Sequence, residues 1–326
     1  MIKIGLAGVG YLGMRHLNHL TSLQNVQVSG IWDSDPETLE RIATEFKVRA
    51  ADSLDDLIEN SDAVDVVTPT STHFDVGSKV LKAGKPLFIE KPICATVDEG
   101  ERLVQMAKEN GTILQVGHIE RFNRAFRSLN EVAVKPRFIE AHRLSTWSSR
   151  GVDVAVVHDL MIHDLDLILT LAQSEPVHVH ANGVGVISDH VDIATTRIEF
   201  ADGMVANVTA SRISLKRMRK LRMFGENEYI SLDMNKGTCE FVGATPDGET
   251  VPDDVQYLGA LDIGTRHRGI FMRTTEAPED DAMRLELTAF CNAITTGTTP
   301  VVSGEDGLKA LKLAETIVKV INENLA

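Results

Sequence analysis

The chain is predicted to be an α/β domain with a doubly wound parallel sheet over residues 1–122, followed by an α+β domain over residues 123–326. Three observations predict it. Short apolar runs alternate with charged, periodic segments through the first 120 residues. A glycine-rich turn separates the first apolar run from the first periodic segment. Beyond about residue 122 the pattern changes to alternating stretches broken by turn signals. A length of 326 residues suits two domains at about 100 to 200 residues each.

In the first domain Ile2 to Ala7, Val26 to Trp32, Val64 to Val67, Leu87 to Ile89 and Ile113 to Val116 read as buried strands. Val97 to Asn110 reads as a helix, with Asp98, Glu99 and Glu101 in its first turns and Gly111 at its end. Strand and helix in repetition imply a parallel sheet covered on both faces. In the second domain His178 to Val186, Ile193 to Phe200, Met204 to Arg212 and Tyr229 to Asp233 read as antiparallel strands, with Asp202-Gly203 and Gly225-Glu226-Asn227 as turns. Helices are expected at Val154 to Ala172, Asp281 to Thr296 and Glu305 to Asn324, and Gly243 to Glu279 reads as irregular connection or hairpin.

Charge and composition narrow the function. With 33 Lys and Arg against 47 Asp and Glu, the net charge of −14 repels phosphate backbones and anionic lipid. Cys94, Cys239 and Cys291 form no metal-knuckle or disulfide pattern, which fits a reducing compartment. No signal peptide and no apolar stretch of about 20 residues is seen, so a soluble cytoplasmic protein is expected.

Gly8-Val9-Gly10-Tyr11-Leu12-Gly13 lies where a strand passes into a helix, the context in which G-x-G-x-x-G acquires a mechanism. Gly8 permits the turn, Gly10 lets a pyrophosphate approach the backbone, and Gly13 lets helix and strand pack. Asp33, twenty residues beyond Gly13, can accept bonds from both ribose hydroxyls and repels a 2′-phosphate, favouring NAD over NADP. The alternative is a plain turn with Asp33 capping the next helix, as in a methyltransferase or flavin protein. His16 either approaches the pyrophosphate or packs, and packing is preferred.

Glu90-Lys91-Pro92 ends the fourth strand at the carboxyl edge of the sheet, and Pro92 disfavours helix at Lys91. Asp159, His163 and Asp166 fall at i, i+4 and i+7 of one helix. Proton transfer suits His163, which titrates nearest neutral pH, with Asp159 orienting it. A buried, satisfied histidine is the bland alternative, and no metal site is expected because no further His or Cys joins at ligand spacing. Arg121 and Asn123 either donate to substrate oxygens or pin the interdomain segment. Arg212, Lys216, Arg217, Arg219, Lys220 and Arg222, placed between two expected strands, suit a nucleotide diphosphate or, preferably, a solvated or salt-bridged surface.

These motifs, with Thr68-Pro69, His73 and Gly117, resemble the glucose-fructose oxidoreductase/inositol dehydrogenase/MocA family almost end to end. Val157 to Asp166 and Gly117 to Asn123 look most like its nucleotide-sugar branch, the UDP-N-acetylglucosamine 3-dehydrogenases. The resemblance implies a Rossmann domain, then a substrate-binding and oligomerisation domain with an open antiparallel sheet, and a homodimer or homotetramer. It implies that Lys91 and His163 flank the nicotinamide, that Asp159 binds or orients substrate, and that Thr68, Pro69, His73 and Glu90 line the cofactor. The expected reaction is oxidation of a sugar's secondary hydroxyl by NAD, coupled to a PLP aminotransferase that takes the keto product. The alternatives are another sugar or inositol-like polyol, the reductive direction, or a non-catalytic NAD sensor.

Overall fold

The structure, a computed structural model, describes residues 1–131, 134–148 and 154–325. Two compact units are present, residues 1–119 with 280–312, and residues 120–279 with 313–326. The sequence reading sets one boundary, at residue 122; the later segment groups with the first unit because Met283, Leu287 and Phe290 share a core with Ile4, Leu20 and Phe88.

In the first unit β1 (Ile2–Ala7), α1 (Tyr11–Ser22), β2 (Val26–Trp32), α2 (Pro36–Phe46), α3 (Leu54–Glu59), β3 (Ala63–Val66), α4 (His73–Lys82), β4 (Leu87–Glu90), α5 (Val97–Glu109) and β5 (Leu114–Gly117) follow in order. The strands form one parallel sheet ordered β2-β1-β3-β4-β5. β3, β4 and β5 are buried along their whole length, which is why they read as apolar runs rather than alternating ones. Local signals set the helix starts. Asp35 caps α2 ahead of Pro36, Ser53 caps α3, and Thr96 with Glu99 forms a reciprocal capping box on α5. The sheet order reverses at β1, so the loops after β1 and β3 border the crevice where open α/β sheets bind ligands.

The second unit contains α6 (Arg124–Arg127), β6 (Phe138–Leu144), a π-helical turn at Val157–Met161, α7 (Ile162–Ala172) and eight further strands. These are β7 (Pro176–Val184), β8 (Ile193–Phe200), β9 (Val205–Ser211), β10 (Met218–Phe224), β11 (Glu228–Asp233), β12 (Thr238–Ala244), β13 (Gln256–Ile263) and β14 (Arg266–Thr275). They form a sheet ordered β13-β14-β12-β11-β10-β6-β9-β8-β7. It is antiparallel except where β6 pairs with β9 in parallel, so it is mixed rather than purely antiparallel. The Gly243 to Glu279 segment contributes the hairpin β13–β14. α8 (Ala282–Thr296) belongs to the first unit, and α9 (Gly304–Leu325) closes the chain. Among the described residues no helix is long and apolar enough to cross a membrane.

Candidate active site

The glycine loop opens a cleft of about 810 Å³ in the first unit. Gly8 has φ +91°, and a Cβ there would lie 2.6 Å from the Val67 carbonyl oxygen, so no other residue fits the turn. A Cβ on Gly13 would collide with the Gly8 carbonyl oxygen, which fixes how closely α1 follows β1. A Cβ on Gly10 would meet nothing within 4 Å, because that position faces the cleft. Gly10 is also the N-cap of α1 and supplies no side-chain cap, so the positive end of the helix lies at the cleft, which Tyr11 and Leu12 line.

Asp33 follows β2 and lines the same cleft beside the glycine loop. Its Oδ2 accepts the Val9 N–H at 2.8 Å and its Oδ1 accepts the Asp35 N–H at 3.0 Å. Helix capping falls to Asp35, so Asp33 shapes the loop and presents carboxylate charge to the cleft. The open space over Gly10 and the acceptor beside it fit the phosphates and ribose of a dinucleotide.

Thr68, Pro69, His73, Glu90 and Lys91 also line the cleft, as do Ser34, Thr38 and Lys79. His73 is buried, with Nδ1 2.9 Å from the Pro92 carbonyl oxygen and Nε2 3.0 Å from that of Thr68. Burial lowers its pKa against the pull of these carbonyls and of Glu90, so the neutral ring donates to only one of the two carbonyls. Glu90 Oε2 accepts the Lys91 backbone N–H at 3.0 Å. His16 is fully buried and bonded to Asp65 at 2.9 Å, and it does not line the cleft; of its two sequence readings, the approach to a pyrophosphate is the one the structure corrects.

In the second unit Asp159 lies in the π-helical turn and His163 is the second residue of α7, both partly buried. A π turn widens the helix and changes the angular offset between Asp159 and His163 from the α-helical one that the i, i+4 spacing assumes. Asp166 serves as an anchor. Arg121 donates to both its oxygens, at 2.8 and 2.7 Å, with both side chains buried. Asn123 caps α6 through Ala125 N–H and donates to Glu120 at 2.9 Å and to the Met234 carbonyl at 3.1 Å. Both residues therefore hold the segment that enters this unit.

The basic run is largely absorbed into the sheet. Met218 to Phe224 is β10 rather than a connection, with the buried Leu221 and Met223 alternating with the partly buried Lys220 and Arg222. Arg219 reaches Glu120 at 3.4 Å, Lys220 reaches Asp233 at 3.7 Å, Arg222 reaches Glu140 at 2.9 Å, and Arg212 donates to the Val154 carbonyl at 2.7 Å.

Two buried charge networks escape the sequence reading. Asp65, His16 and Glu90 form one in the first unit. In the second, Arg143 on β6 donates twice to Asp164, at 2.7 and 3.0 Å, and once to Glu120 at 2.8 Å. Burial opposes ionisation of Glu120, but Arg143 outweighs it and lowers its pKa, while burial leaves that of Asp164 raised. The signals were an Asp in an otherwise apolar strand and an Arg at an inward strand position. All three cysteines are buried, and burial pushes Cys94 up to about 12 and Cys291 up to about 11, so neither is a nucleophile. Among the described residues no group of three His, Cys, Asp or Glu is placed to hold a metal.

Residues 2–118 match the model of an oxidoreductase family with an NAD-binding Rossmann fold, and residues 128–231 match the GFO/IDH/MocA C-terminal domain. A protein named UDP-N-acetylglucosamine 3-dehydrogenase from Acidithiobacillus ferrooxidans is 35% identical over 96% of this chain and 95% of its own. A solved structure of that enzyme superposes with a TM-score of 0.88, covering 100% of this chain and 99% of its own. An inositol 2-dehydrogenase from Rhizobium meliloti is 26% identical over 99% of this chain and 97% of its own. With both family models matched in order, above a parallel sheet that carries the glycine loop, the chain belongs to the GFO/IDH/MocA family of NAD-binding oxidoreductases.

Proposed function

We propose that this chain oxidises the 3-hydroxyl of UDP-N-acetylglucosamine to the 3-keto sugar, with NAD in preference to NADP. The observation that carries the reading is 35% identity along nearly the whole chain to a dehydrogenase of that name. The cleft lined by the glycine loop, Asp33 and Lys91 supports it. Gly8, Gly10, Tyr11, Leu12, Gly13, Asp33, Thr68, Pro69, His73 and Glu90 would hold the dinucleotide, which supplies the hydride acceptor when bound.

The chain's own residues then handle the proton and the charge. His163 takes the proton of the hydroxyl being oxidised, and Asp159 orients it or the sugar. Lys91 contributes an ammonium that stabilises the negative charge developing on that oxygen. Arg121 and Asn123, already engaged by Asp166, Glu120 and Met234, shape the substrate site through the segment they fix. Assembly as a homodimer or homotetramer, a cytoplasmic setting and removal of the keto product by a PLP aminotransferase belong to the same proposal. The 26% identity to an inositol 2-dehydrogenase favours a second reading, oxidation of a free polyol by the same residues.

Lys91→Met tests the role of the lysine. Turnover falls by at least about a thousandfold while the Kd for NADH changes by less than about threefold. Parallel loss of both would show that Lys91 only holds the cofactor.

A further inference from the structure

Three ionisable groups meet inside the first unit, one each from α1, β3 and β4. His16 and Asp65 are 0% exposed and Glu90 8%. His16 Nδ1 lies 2.9 Å from Asp65 Oδ2, and its Nε2 lies 3.2 Å from Glu90 Oε1. The other oxygen of Glu90 accepts the backbone N–H of Lys91. Buried ionic clusters of this kind are often no more stable than apolar side chains of the same volume, so stability gives no reason for this one. Its direction does, because it runs from the core to the residue after β4.

The Glu90 carboxylate has little room to turn. A Cβ on Gly117 of β5 would lie 2.9 Å from Glu90 Cδ, so β5 closes one side and His16 the other. Phe88 packs on the His16 ring in a T-shaped arrangement, with centroids 5.7 Å apart. Cys291 of α8 lies within electrostatic reach of Asp65, and His73 of α4 and Lys91 within reach of Glu90. Burial opposes charge on His16, but Asp65 and then Glu90 outweigh it and hold its pKa well above the ordinary histidine value. Burial raises Asp65, whereas Glu90 stays below the ordinary carboxylate value because His16 and Lys91 overcome the same penalty.

We propose that His16 is a positioning residue for Lys91, fixing the Glu90 carboxylate so that one oxygen holds the Lys91 backbone and its negative charge supports the Lys91 ammonium. The inference rests on the catalytic reading of Lys91. Without the His16 cation, Asp65 and Glu90 are two carboxylates buried together, and burial drives Glu90 toward its neutral form. Lys91 then loses that field and gives up its proton at lower pH.

The test is the pH profile of kcat in His16→Gln and Glu90→Gln, measured beside thermal melting and NADH affinity. Both variants move the alkaline limb down by about one pH unit or more, and the double variant moves it no further. A purely structural role would lower the melting temperature and leave the limb in place. Histidine-selective NMR of the unmodified protein adds a readout that needs no turnover: one imidazole stays protonated at about pH 8, and its signal is absent in His16→Gln. If His16→Gln does not fold, Glu90→Gln and the NMR titration decide. An unmoved limb, or a His16 ring that titrates near its ordinary value of about 6.5, overturns the positioning role while an inactive Lys91→Met leaves the catalytic reading standing. Turnover retained in Lys91→Met overturns that reading and this inference with it.

Discussion

Asp33→Asn should turn a preference for NAD into near indifference between NAD and NADP. A 2′-phosphate carries nearly two negative charges, and at about 5 Å from the Asp33 carboxylate, with an effective dielectric of about 40, the repulsion is about 3 kcal/mol. Salt screening brings this to about 2 to 3 kcal/mol, a discrimination of roughly 30- to 150-fold. The amide removes that repulsion but has one oxygen where the carboxylate has two. The Val9 and Asp35 N–H groups bond to different oxygens of Asp33, so one of them loses its acceptor. That loss, about 1.5 to 3 kcal/mol, loosens the loop for both cofactors alike. NADH binding therefore weakens about tenfold or more, while the ratio of the two dissociation constants moves by about two orders of magnitude. Trp32 lines the cleft, so quenching of its fluorescence by NADH and NADPH reports both constants. A ratio that changes by less than about threefold, or an unmodified protein that binds both cofactors equally, would refute the reasoning.

Arg143→Met strands Asp164 and Glu120 as buried carboxylates and should destabilise the protein by about 3 to 5 kcal/mol in urea unfolding; a cost below about 1 kcal/mol would show that the network adds nothing. Asp192 accepts the N–H groups of Val186, Ile187 and Ser188 and the Ser188 hydroxyl, and although burial opposes its ionisation these donors depress its pKa. A depressed acid contributes stability that is present above its unfolded value of about 3.9 and is lost as pH falls through the folded one. Thermal melting of Asp192→Asn should therefore show a deficit at neutral pH that narrows as the pH drops below about 4, and a deficit independent of pH would contradict it. Gly13→Ala should abolish NADH binding by forcing α1 away from the loop; retained affinity would show that the Gly8 carbonyl yields.

Much of the first unit is legible in the sequence, and the reason is physical. β3, β4 and β5 are buried along their whole length, and β1 and β2, although they carry the exposed Lys3 and Gln27, begin and end at the expected residues. The glycine positions are dictated by backbone collisions that no tertiary context relaxes. The second unit is harder. β6 carries Arg143 at an inward position, satisfied only by Asp164 and Glu120 from distant segments, so its alternation looks broken. β10 hides Leu221 and Met223 among cations whose partners lie on other elements. The β13–β14 hairpin sits in a stretch rich in Gly, Pro and Asp, where propensity argues against strands. The π turn before α7 leaves no trace in residue spacing, since Asp159 and His163 keep the i, i+4 separation of an α-helix.

The motif residues of the cleft stand out in the sequence, whereas Ser34, Thr38 and Lys79, which also line it, and the groups behind it do not. Asp65 is one acid in a buried strand, and its partner His16 lies 49 residues away in sequence. Only the parallel packing of β1, β3 and β4 under α1 brings them to Glu90.

The measurement that bears most directly on the proposed reaction is NADH formation from NAD and UDP-N-acetylglucosamine, with other UDP-sugars, free sugars and inositols in parallel and an aminotransferase with glutamate present to remove keto product. Absorbance from NADH with UDP-N-acetylglucosamine alone is the predicted result. Turnover of a free polyol in its place, or silence with every UDP-sugar despite measurable NADH binding, would contradict the account.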